Sequence, residues 1–409
     1  MKFDSIIIGG GLTGLVAGIS LQSKGKKCLI VSAGQSALHF FSGSFELCSA
    51  PGDYEDALAT LPSSHPYSRM GVARILELAS GVKDFFLSSS IKLSGEDKRN
   101  HFRITPMGVL KPAWLTLDGY ASVPSDRKMP WKKVLVANVG GFLDFHSDFL
   151  MAGLEKEGVE CIPYIINIPE LDRLRTNPTE MRSTNIARAL TGNVLCELAS
   201  QLSKAGAGCD AILLPAVLGL NDPENANSLK ARMDIPVEFV ATLPPSVPGI
   251  RTQLMLKAHF QSLGGTFLMG DTVNEGVFEG NQLKGIKTVN HADMVFQADN
   301  FILATGSFFS RGIKASSTEV FESVFGLDVD YTEERPQWYS PDVFEKQPYM
   351  EFGVRTDDKF RVSRDGNVLS NVYAAGSVLS GFNGLKDGCG AGVSILTALD
   401  VADRIANGL

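Results

Sequence analysis

The 409-residue sequence predicts an α/β fold with a parallel sheet, and two observations lead to this prediction. Residues 3–8 form an apolar run, residues 12–24 carry helical periodicity, and residues 27–31 form a second apolar run. A strand, a helix and a strand within about 30 residues make a βαβ unit, whose strands are parallel. The same alternation returns between residues 134 and 214, so a second α/β segment is expected further along the chain.

The domain division follows from where this alternation changes. The repeated alternation predicts an inserted α/β domain at 61–246, which includes a helix at 185–204. The first domain then consists of residues 1–60 and 247–409. Its second part begins with a predicted helix at 251–263 and continues in short strands.

Composition and charge exclude several classes of protein. The formal net charge of −7 gives no sign of nucleic-acid binding. The six cysteines are scattered without a CxxC pair, so we expect reduced thiols in a cytoplasmic protein and no metal site. The apolar N-terminal stretch is too short for a signal peptide. No apolar run approaches the roughly 20 residues that span a bilayer, so any membrane association is expected to come through a partner.

A glycine motif lies between the first predicted strand and the first predicted helix. Gly9, Gly11 and Gly14 form the GxGxxG pattern of Rossmann-type nucleotide-binding folds. The pattern places a phosphate on free backbone N–H groups at the positive end of a helix, so Leu12 and Thr13 are also expected to contact it. The alternative is a glycine-rich turn in another α/β protein.

The acid that often follows this motif is missing. Dinucleotide-binding units commonly carry Asp or Glu about 20 residues after the glycines, where it binds a ribose hydroxyl. This sequence has Ser32, Ala33 and Gly34 there. Either Ser32 or Gln35 supplies a weaker contact, or the nucleotide lacks the adenosine half.

Two distant segments resemble parts of two-dinucleotide-binding-fold flavoproteins. Residues 299–306 end in Thr305-Gly306, which resembles the turn where a strand approaches the nucleotide in those proteins. Residues 371–377 resemble their final strand, with Gly376 followed by Ser377 where an acid is usual. A buried strand with a glycine turn is the alternative for the first of these segments.

A glycine-rich helix start follows near the C-terminus. Gly390, Ala391 and Gly392 precede a predicted helix at 393–405. In the same superfamily this helix points at the pyrimidine oxygen of the flavin, and its partial positive charge stabilises the anion formed on reduction. The sequence therefore predicts a flavin site made from both ends of the chain.

A closer resemblance runs along nearly the whole chain. The sequence resembles the B-subunit family of anaerobic glycerol-3-phosphate dehydrogenase in six segments: 34–40, 42–44, 105–108, 185–188, 243–251 and 306–310. The resemblance implies a three-subunit enzyme that oxidises sn-glycerol 3-phosphate to dihydroxyacetone phosphate and passes electrons to quinone. It implies a soluble pair of catalytic (A) and B subunits, which an iron–sulfur (C) subunit holds at the inner membrane. It also implies flavin mononucleotide (FMN) on the B subunit, and flavin adenine dinucleotide (FAD) stays open.

A few further residues are candidates for the site. Ser42, Gly43 and Ser44 follow the second strand, where related flavoproteins place small polar residues against the cofactor, and a solvated turn is the alternative. His39 is a candidate proton relay or phosphate contact, or else a structural histidine. Arg251 is a candidate phosphate ligand, or else a surface ion-pair partner. No arrangement of carboxylates identifies a catalytic base.

The sequence leaves three functional interpretations open. The chain is either a subunit that oxidises the substrate or relays electrons, or a free-standing flavin oxidoreductase acting on another small substrate. A scaffold subunit with a vestigial flavin site is the third possibility. Because the cysteines lack cluster spacing, onward electron transfer to iron–sulfur centres requires a partner.

Overall fold

The computed structural model describes residues 2–49, 52–177, 179–291 and 294–408. The chain divides into two compact units. The first unit comprises residues 1–37, 46–90 and 255–409, and the second comprises residues 38–45 and 91–254. No helix in the described ranges combines the length and apolar character needed to cross a membrane.

The α-helices and strands alternate along much of the chain. The helices are α1 (Leu12–Ser23), α2 (Tyr54–Ala59), α3 (Pro66–Met70), α4 (Val72–Ser80), α5 (Val82–Ser88), α6 (Ser147–Lys156), α7 (Pro169–Asp172), α8 (Ser183–Ala189), α9 (Gly192–Ala205), α10 (Glu224–Lys230), α11 (Val247–Ser262) and α12 (Gly390–Asn407). The strands are β1 (Lys2–Ile8), β2 (Cys28–Ser32), β3 (Ser44–Phe45), β4 (Leu93–Ser94), β5 (His101–Ile104), β6 (Leu110–Ala113), β7 (Leu115–Leu117), β8 (Ser122–Val123), β9 (Lys133–Val139), β10 (Glu160–Ile166), β11 (Ala211–Pro215), β12 (Val237–Val240), β13 (Thr266–Met269), β14 (Val273–Glu279), β15 (Gln282–Thr288), β16 (Phe296–Leu303), β17 (Ile313–Ala315), β18 (Val320–Glu322), β19 (Val329–Asp330), β20 (Gly353–Val354), β21 (Arg361–Arg364) and β22 (Asn367–Ala374).

The first unit is built on a sheet with a parallel centre. Its strand order is β13-β2-β1-β16-β15-β14, and β22 also pairs with β16. The pairs β13–β2, β2–β1, β1–β16 and β16–β22 are parallel, whereas β15 pairs antiparallel with β14 and β16. Ile6, Ile7 and Ile8 of β1 are buried, as a central parallel strand covered on both faces requires.

Helices α1 and α12 pack together in the first unit. Residues 13–21 of α1 are buried, so this helix lies inside the unit rather than on its surface. A Cβ on Gly18 would lie 2.8 Å from Ile30 Cδ1 and 3.0 Å from Phe260 Cε2. The small residue therefore allows α1 to approach the sheet and α11 closely.

The second unit has its own parallel sheet, in the order β10-β9-β11-β12. Two three-stranded antiparallel sheets accompany it, in the orders β3-β7-β4 and β6-β5-β8. The predicted α/β class, a Rossmann-type domain with an additional α/β domain, is thereby confirmed.

Some predicted details differ from the structure. The single helix predicted at 185–204 is two helices, α8 and α9, because Thr191 is extended and Gly192 has a positive φ of 51°. The helix predicted from residue 251 begins at Val247, since Pro248 fits a first helical turn. Helices α3 to α5 lie within the predicted inserted domain at 61–246 and belong to the first compact unit.

Candidate flavin site

Two glycines of the motif after β1 leave no room for a Cβ beside a backbone oxygen. Gly9 has a positive φ of 119°, and a Cβ there would lie 2.1 Å from Ala304 O. A Cβ on Gly14 would lie 1.9 Å from Gly9 O. The close approach at Gly9 holds the glycine turn against the end of β16. The close approach at Gly14 holds the first helical turn of α1 against the glycine turn.

Gly11 differs from its neighbours because space lies beside it. The nearest atom to a Cβ on Gly11 would be Ser36 Cβ, at 3.6 Å. Gly11 is the N-cap of α1, and this helix has neither a side-chain cap nor an acidic residue in its first turn. The positive end of α1 is therefore left for an anionic group, with backbone able to approach it closely.

Two later segments meet this turn. A Cβ on Gly9 would lie 3.2 Å from Thr305 N, and one on Gly376 would lie 2.1 Å from Thr13 Oγ1. A Cβ on Gly306 would in turn lie 3.5 Å from Ser377 Oγ. The structure thus brings three predicted segments to the amino end of α1. The first and the last of them, at Gly9 and Gly376, are more than 350 residues apart in the sequence.

Thr305 offers a polar atom that the chain does not satisfy. Its Oγ1 is buried and has no hydrogen-bond partner in the described part of the chain. A Cβ on Gly312 would lie 2.6 Å from this oxygen. A buried hydroxyl without a partner beside a glycine turn fits a polar ligand group.

The amino end of α12 is also uncapped. Cys389 is its N-cap residue, and the helix has neither a side-chain cap nor an acid in its first turn. Gly392 N donates to Glu46 O at 2.9 Å, while Ala391 N has no acceptor within the described ranges. Gly376 N donates to Thr397 Oγ1 at 2.9 Å, which ties α12 to the segment that touches Thr13. The sequence-predicted residues Gly390, Ala391 and Gly392 therefore form this helix start.

The carboxyl end of β2 provides no acid for a ribose. Ser32 is buried, its Oγ lies 2.5 Å from a Cβ placed on Gly10, and it donates to Gly34 O at 3.3 Å. Gln35 is exposed. Asp271 N donates to Ser32 O, but its carboxylate accepts from Thr272 N, Asn290 N and His291 Nδ1. The Asp271 carboxylate is therefore already hydrogen-bonded within its own loop.

Three predicted cofactor contacts lie in the second unit. Ser44 pairs with Thr116 across β3 and β7, and its buried Oγ has no partner in the described part of the chain. A Cβ on Gly43 would lie 2.3 Å from the Tyr120 ring. Ser42 precedes them and is half-buried.

The two candidate catalytic residues, His39 and Arg251, lie on segments that pack together in the second unit. A Cβ on Gly249 would lie 1.8 Å from Leu38 O, and Ser246 N donates to His39 O at 2.8 Å. Burial lowers the pKa of His39, and a hydrogen bond with Gln253 opposes that shift. The imidazole is therefore neutral at pH 7 and able to accept a proton.

Arg251 uses only part of its guanidinium within the chain. Its Nη1 donates to Leu218 O at 3.0 Å and to Gly219 O at 3.4 Å. Nε and Nη2 have no hydrogen-bond partner among the described residues. Both acceptors are backbone carbonyls rather than carboxylates, so donors remain for an anion.

The structure also groups Cys389, which the sequence places beside the glycine-rich helix start, with His65 and Asp387, which the sequence did not single out. His65 Nε2, Cys389 Sγ and a carboxylate oxygen of Asp387 lie within 4.8 Å of one another. Each has a partner in the chain, because Asp387 Oδ2 accepts from Asn383 N and His65 Nε2 lies 3.6 Å from Cys389 Sγ.

These features fit a flavin. A tight glycine turn, an open face at Gly11, an orphaned hydroxyl at Thr305 and two uncapped helix ends match the phosphate and ring carbonyls of such a cofactor. The fold and site define a flavin-binding oxidoreductase, and residues 4–393 match the family described as FAD binding domain.

Similarity to named proteins identifies the family within this class of flavin-binding oxidoreductases. The chain is 41% identical over 420 residues to the B subunit of anaerobic glycerol-3-phosphate dehydrogenase from Yersinia enterocolitica serotype O:8 / biotype 1B, covering 100% of this chain and 99% of that protein. It is 41% identical over 416 residues to the protein of the same name from Pectobacterium atrosepticum, covering 99% of both. The chain belongs to the B-subunit family of anaerobic glycerol-3-phosphate dehydrogenase. Among solved structures it is similar to 3-ketosteroid Δ1-dehydrogenase from Sterolibacterium denitrificans, with 10% identity, a TM-score of 0.47 and 100% coverage of both chains.

Proposed function

We propose that this chain is the flavin-carrying subunit of a quinone-linked anaerobic glycerol-3-phosphate dehydrogenase. In this proposal sn-glycerol 3-phosphate is oxidised to dihydroxyacetone phosphate, and electrons leave through an iron–sulfur partner at the inner membrane. Full-length similarity to proteins named as the B subunit of this enzyme supports a place in a complex with its catalytic (A) and iron–sulfur (C) subunits. The chain's scattered cysteines make a partner necessary for iron–sulfur transfer.

The meeting of the glycine turn, Thr305-Gly306 and Gly376-Ser377 at one end of α1 carries the flavin part of this proposal. We assign cofactor contacts to the predicted residues of that region and of α12: Gly9, Gly11, Leu12, Thr13, Gly14, Ser32, Gln35, Thr305, Gly306, Gly376, Ser377, Gly390, Ala391 and Gly392. Ser42, Gly43 and Ser44 are further proposed contacts. When bound, the flavin supplies the two-electron acceptor, and the chain's residues bind and orient it.

We propose FMN as the flavin. The end of β2 carries Ser32 instead of an acid, and the carboxylate of Asp271 is held by Thr272, Asn290 and His291. An adenosine ribose would lack its usual carboxylate partner here. Membership in an FAD-binding family makes FAD the competing outcome. The mass of the flavin released from the purified chain separates the two.

The substrate roles are assigned to two residues of the second unit. Arg251 keeps Nε and Nη2 available, which suits a phosphate, since guanidinium donors match phosphate oxygens in pairs. His39 is neutral and is the proposed acceptor for the proton of the substrate hydroxyl. Hydride transfer requires this proton to be removed as the carbon is oxidised.

Anaerobic reduction of the bound flavin by glycerol 3-phosphate tests the proposed function. We expect the flavin absorbance to bleach with the wild-type chain, and the apparent Kd for the substrate to rise about tenfold or more with Arg251→Met. Arg232→Met is the matched control, because Arg232 is an exposed arginine of the same unit. A wild-type flavin that no glycerol 3-phosphate reduces, alone or with the partner subunits present, would overturn the proposal.

The same measurement separates a relay role from direct oxidation. If electrons enter from the catalytic partner, bleaching requires that partner to be added. If the chain oxidises substrate itself, bleaching occurs without it. A free-standing oxidoreductase would instead purify without partners and be reduced by a different small substrate.

A further inference from the structure

His65 has a defined tautomer in the first unit. Its side chain is 1% exposed, and its Nδ1 accepts a hydrogen bond from Tyr67 N at 3.1 Å, which caps α3. Burial and then the nearby Arg69 lower the pKa of His65 to about 4, so the ring is neutral at pH 7. A neutral ring that accepts at Nδ1 carries its proton on Nε2.

That proton points to the N-cap of α12. His65 Nε2 lies 3.6 Å from Cys389 Sγ, within reach of a hydrogen bond to sulfur. Cys389 is itself 1% exposed, and burial raises the pKa of its thiol, so the sulfur stays protonated and accepts as a neutral group. The pair is therefore a directed N–H to sulfur contact rather than an ion pair.

Tyr67 reaches the same turn of α12 by a second contact. A Cβ on Gly392 would lie 2.2 Å from the Tyr67 hydroxyl oxygen, so this ring packs directly on the helix backbone. The hydroxyl is buried and has no hydrogen-bond partner in the part of the chain that the structure describes. Two residues of one short segment thus hold Cys389 and Gly392, which flank Ala391 and its unbonded N–H.

We propose that His65 and Tyr67 are positioning residues, which fix the amino end of α12 through Cys389 and Gly392 and so set the affinity and redox potential of the flavin. This inference rests on the proposed flavin function. The positive end of a helix stabilises the anion of a reduced flavin only while its N–H groups stay aimed at the ring. Loss of the His65 contact frees that end to shift.

Flavin titration and redox potentiometry of purified variants test the proposal. We expect His65→Ala and Cys389→Ala to raise the flavin Kd by roughly tenfold and to lower the midpoint potential. Cys389→Ser keeps an acceptor for Nε2–H and is expected to recover most of both values. Cys28→Ala is the matched control, because it removes another buried thiol of the same unit, in β2, and is expected to change neither value.

Several results would overturn the proposal. Unchanged Kd and potential in folded His65→Ala and Cys389→Ala, as judged by circular dichroism, would remove the positioning role and leave flavin binding intact. If the alanine variants do not fold, Cys389→Ser is compared with Cys389→Val. A flavin Kd and midpoint potential as impaired in Cys389→Ser as in Cys389→Val would also remove the positioning role. Binding of one equivalent of metal by the wild-type chain, lost in both His65→Ala and Cys389→Ala, would show that these residues are metal ligands instead. A wild-type chain with no affinity for flavin would refute both this inference and the proposed function.

Discussion

At the residue scale, the glycines of one motif have different roles. Gly9 and Gly14 are required by packing, since a Cβ at either position would collide with backbone oxygen. Gly11 has no such neighbour and is needed only if a ligand approaches it. The motif was predictable from sequence because it is local and has a fixed spacing. The difference between its members was not, because it depends on β16 and on the path of the chain after β2.

This difference gives a paired prediction for alanine substitutions. Gly14→Ala is expected to lower the free energy of unfolding by about 1–3 kcal/mol through overpacking. Gly11→Ala is expected to leave the stability of the flavin-free protein nearly unchanged and to weaken flavin binding at least tenfold. Thermal melts and flavin titrations check both. Equal effects of the two substitutions on stability would show that Gly11 is also a packing position.

His65 gives a prediction about pH. Its folded pKa of about 4 lies below the ordinary value of 6.5, so between these values the unfolded chain binds the proton more readily. The contribution of neutral His65 to the free energy of unfolding is therefore complete above pH 6.5 and is lost as the pH falls towards 4. At about 1.4 kcal/mol per pH unit, the loss is about 3 kcal/mol.

Urea unfolding of the wild type and His65→Gln across pH 4 to 7.5 checks this window. The wild type is expected to lose more stability than the variant as the pH falls from 6.5 to 4. Parallel pH curves for the two proteins would contradict the buried, neutral histidine.

At the element scale, the sequence predicts a helix where periodicity and glycines mark its ends. It does not predict a helix end that only the backbone conformation marks. The helices after the glycine turn and at the C-terminus were predicted from periodicity and glycine placement, and α1 and α12 confirm them. The break between α8 and α9 was missed because no proline marks it and its signal is the backbone conformation at Thr191 and Gly192. The contact of His65 with Cys389 joins residues 324 apart, so no local pattern predicts it.

The uncapped start of α12 predicts opposite effects on the protein without and with flavin. Ala391→Asp places a carboxylate in the first turn, which is expected to stabilise the flavin-free protein by roughly 0.5 kcal/mol. The same charge is expected to weaken flavin binding and lower its midpoint potential, because it opposes the anion of the reduced ring. Ala391→Asn is the neutral control of similar size. An unchanged potential in Ala391→Asp would show that this helix end does not face the flavin.

At the scale of the whole molecule, the parallel topology was predictable and the division of the chain was less so. Two βαβ patterns require parallel sheets, and both sheets are present. The predicted domain limits of 1–60, 61–246 and 247–409 stay a prediction beside the compact units observed. Residues 72–80 belong to the first unit, in which Arg74 of α4 binds Asp400 of α12 at 3.0 Å, a long-range ion pair that periodicity does not reveal.

We propose that backbone amides near both ends of this chain bind one flavin. Hydrogen–deuterium exchange of the purified chain, measured without flavin and with one equivalent of it, tests this most directly. We predict that peptides covering residues 9–15 and 388–393 both become protected and that protection saturates at one flavin per chain. Protection of only one of these peptides, or of neither, would contradict the claim.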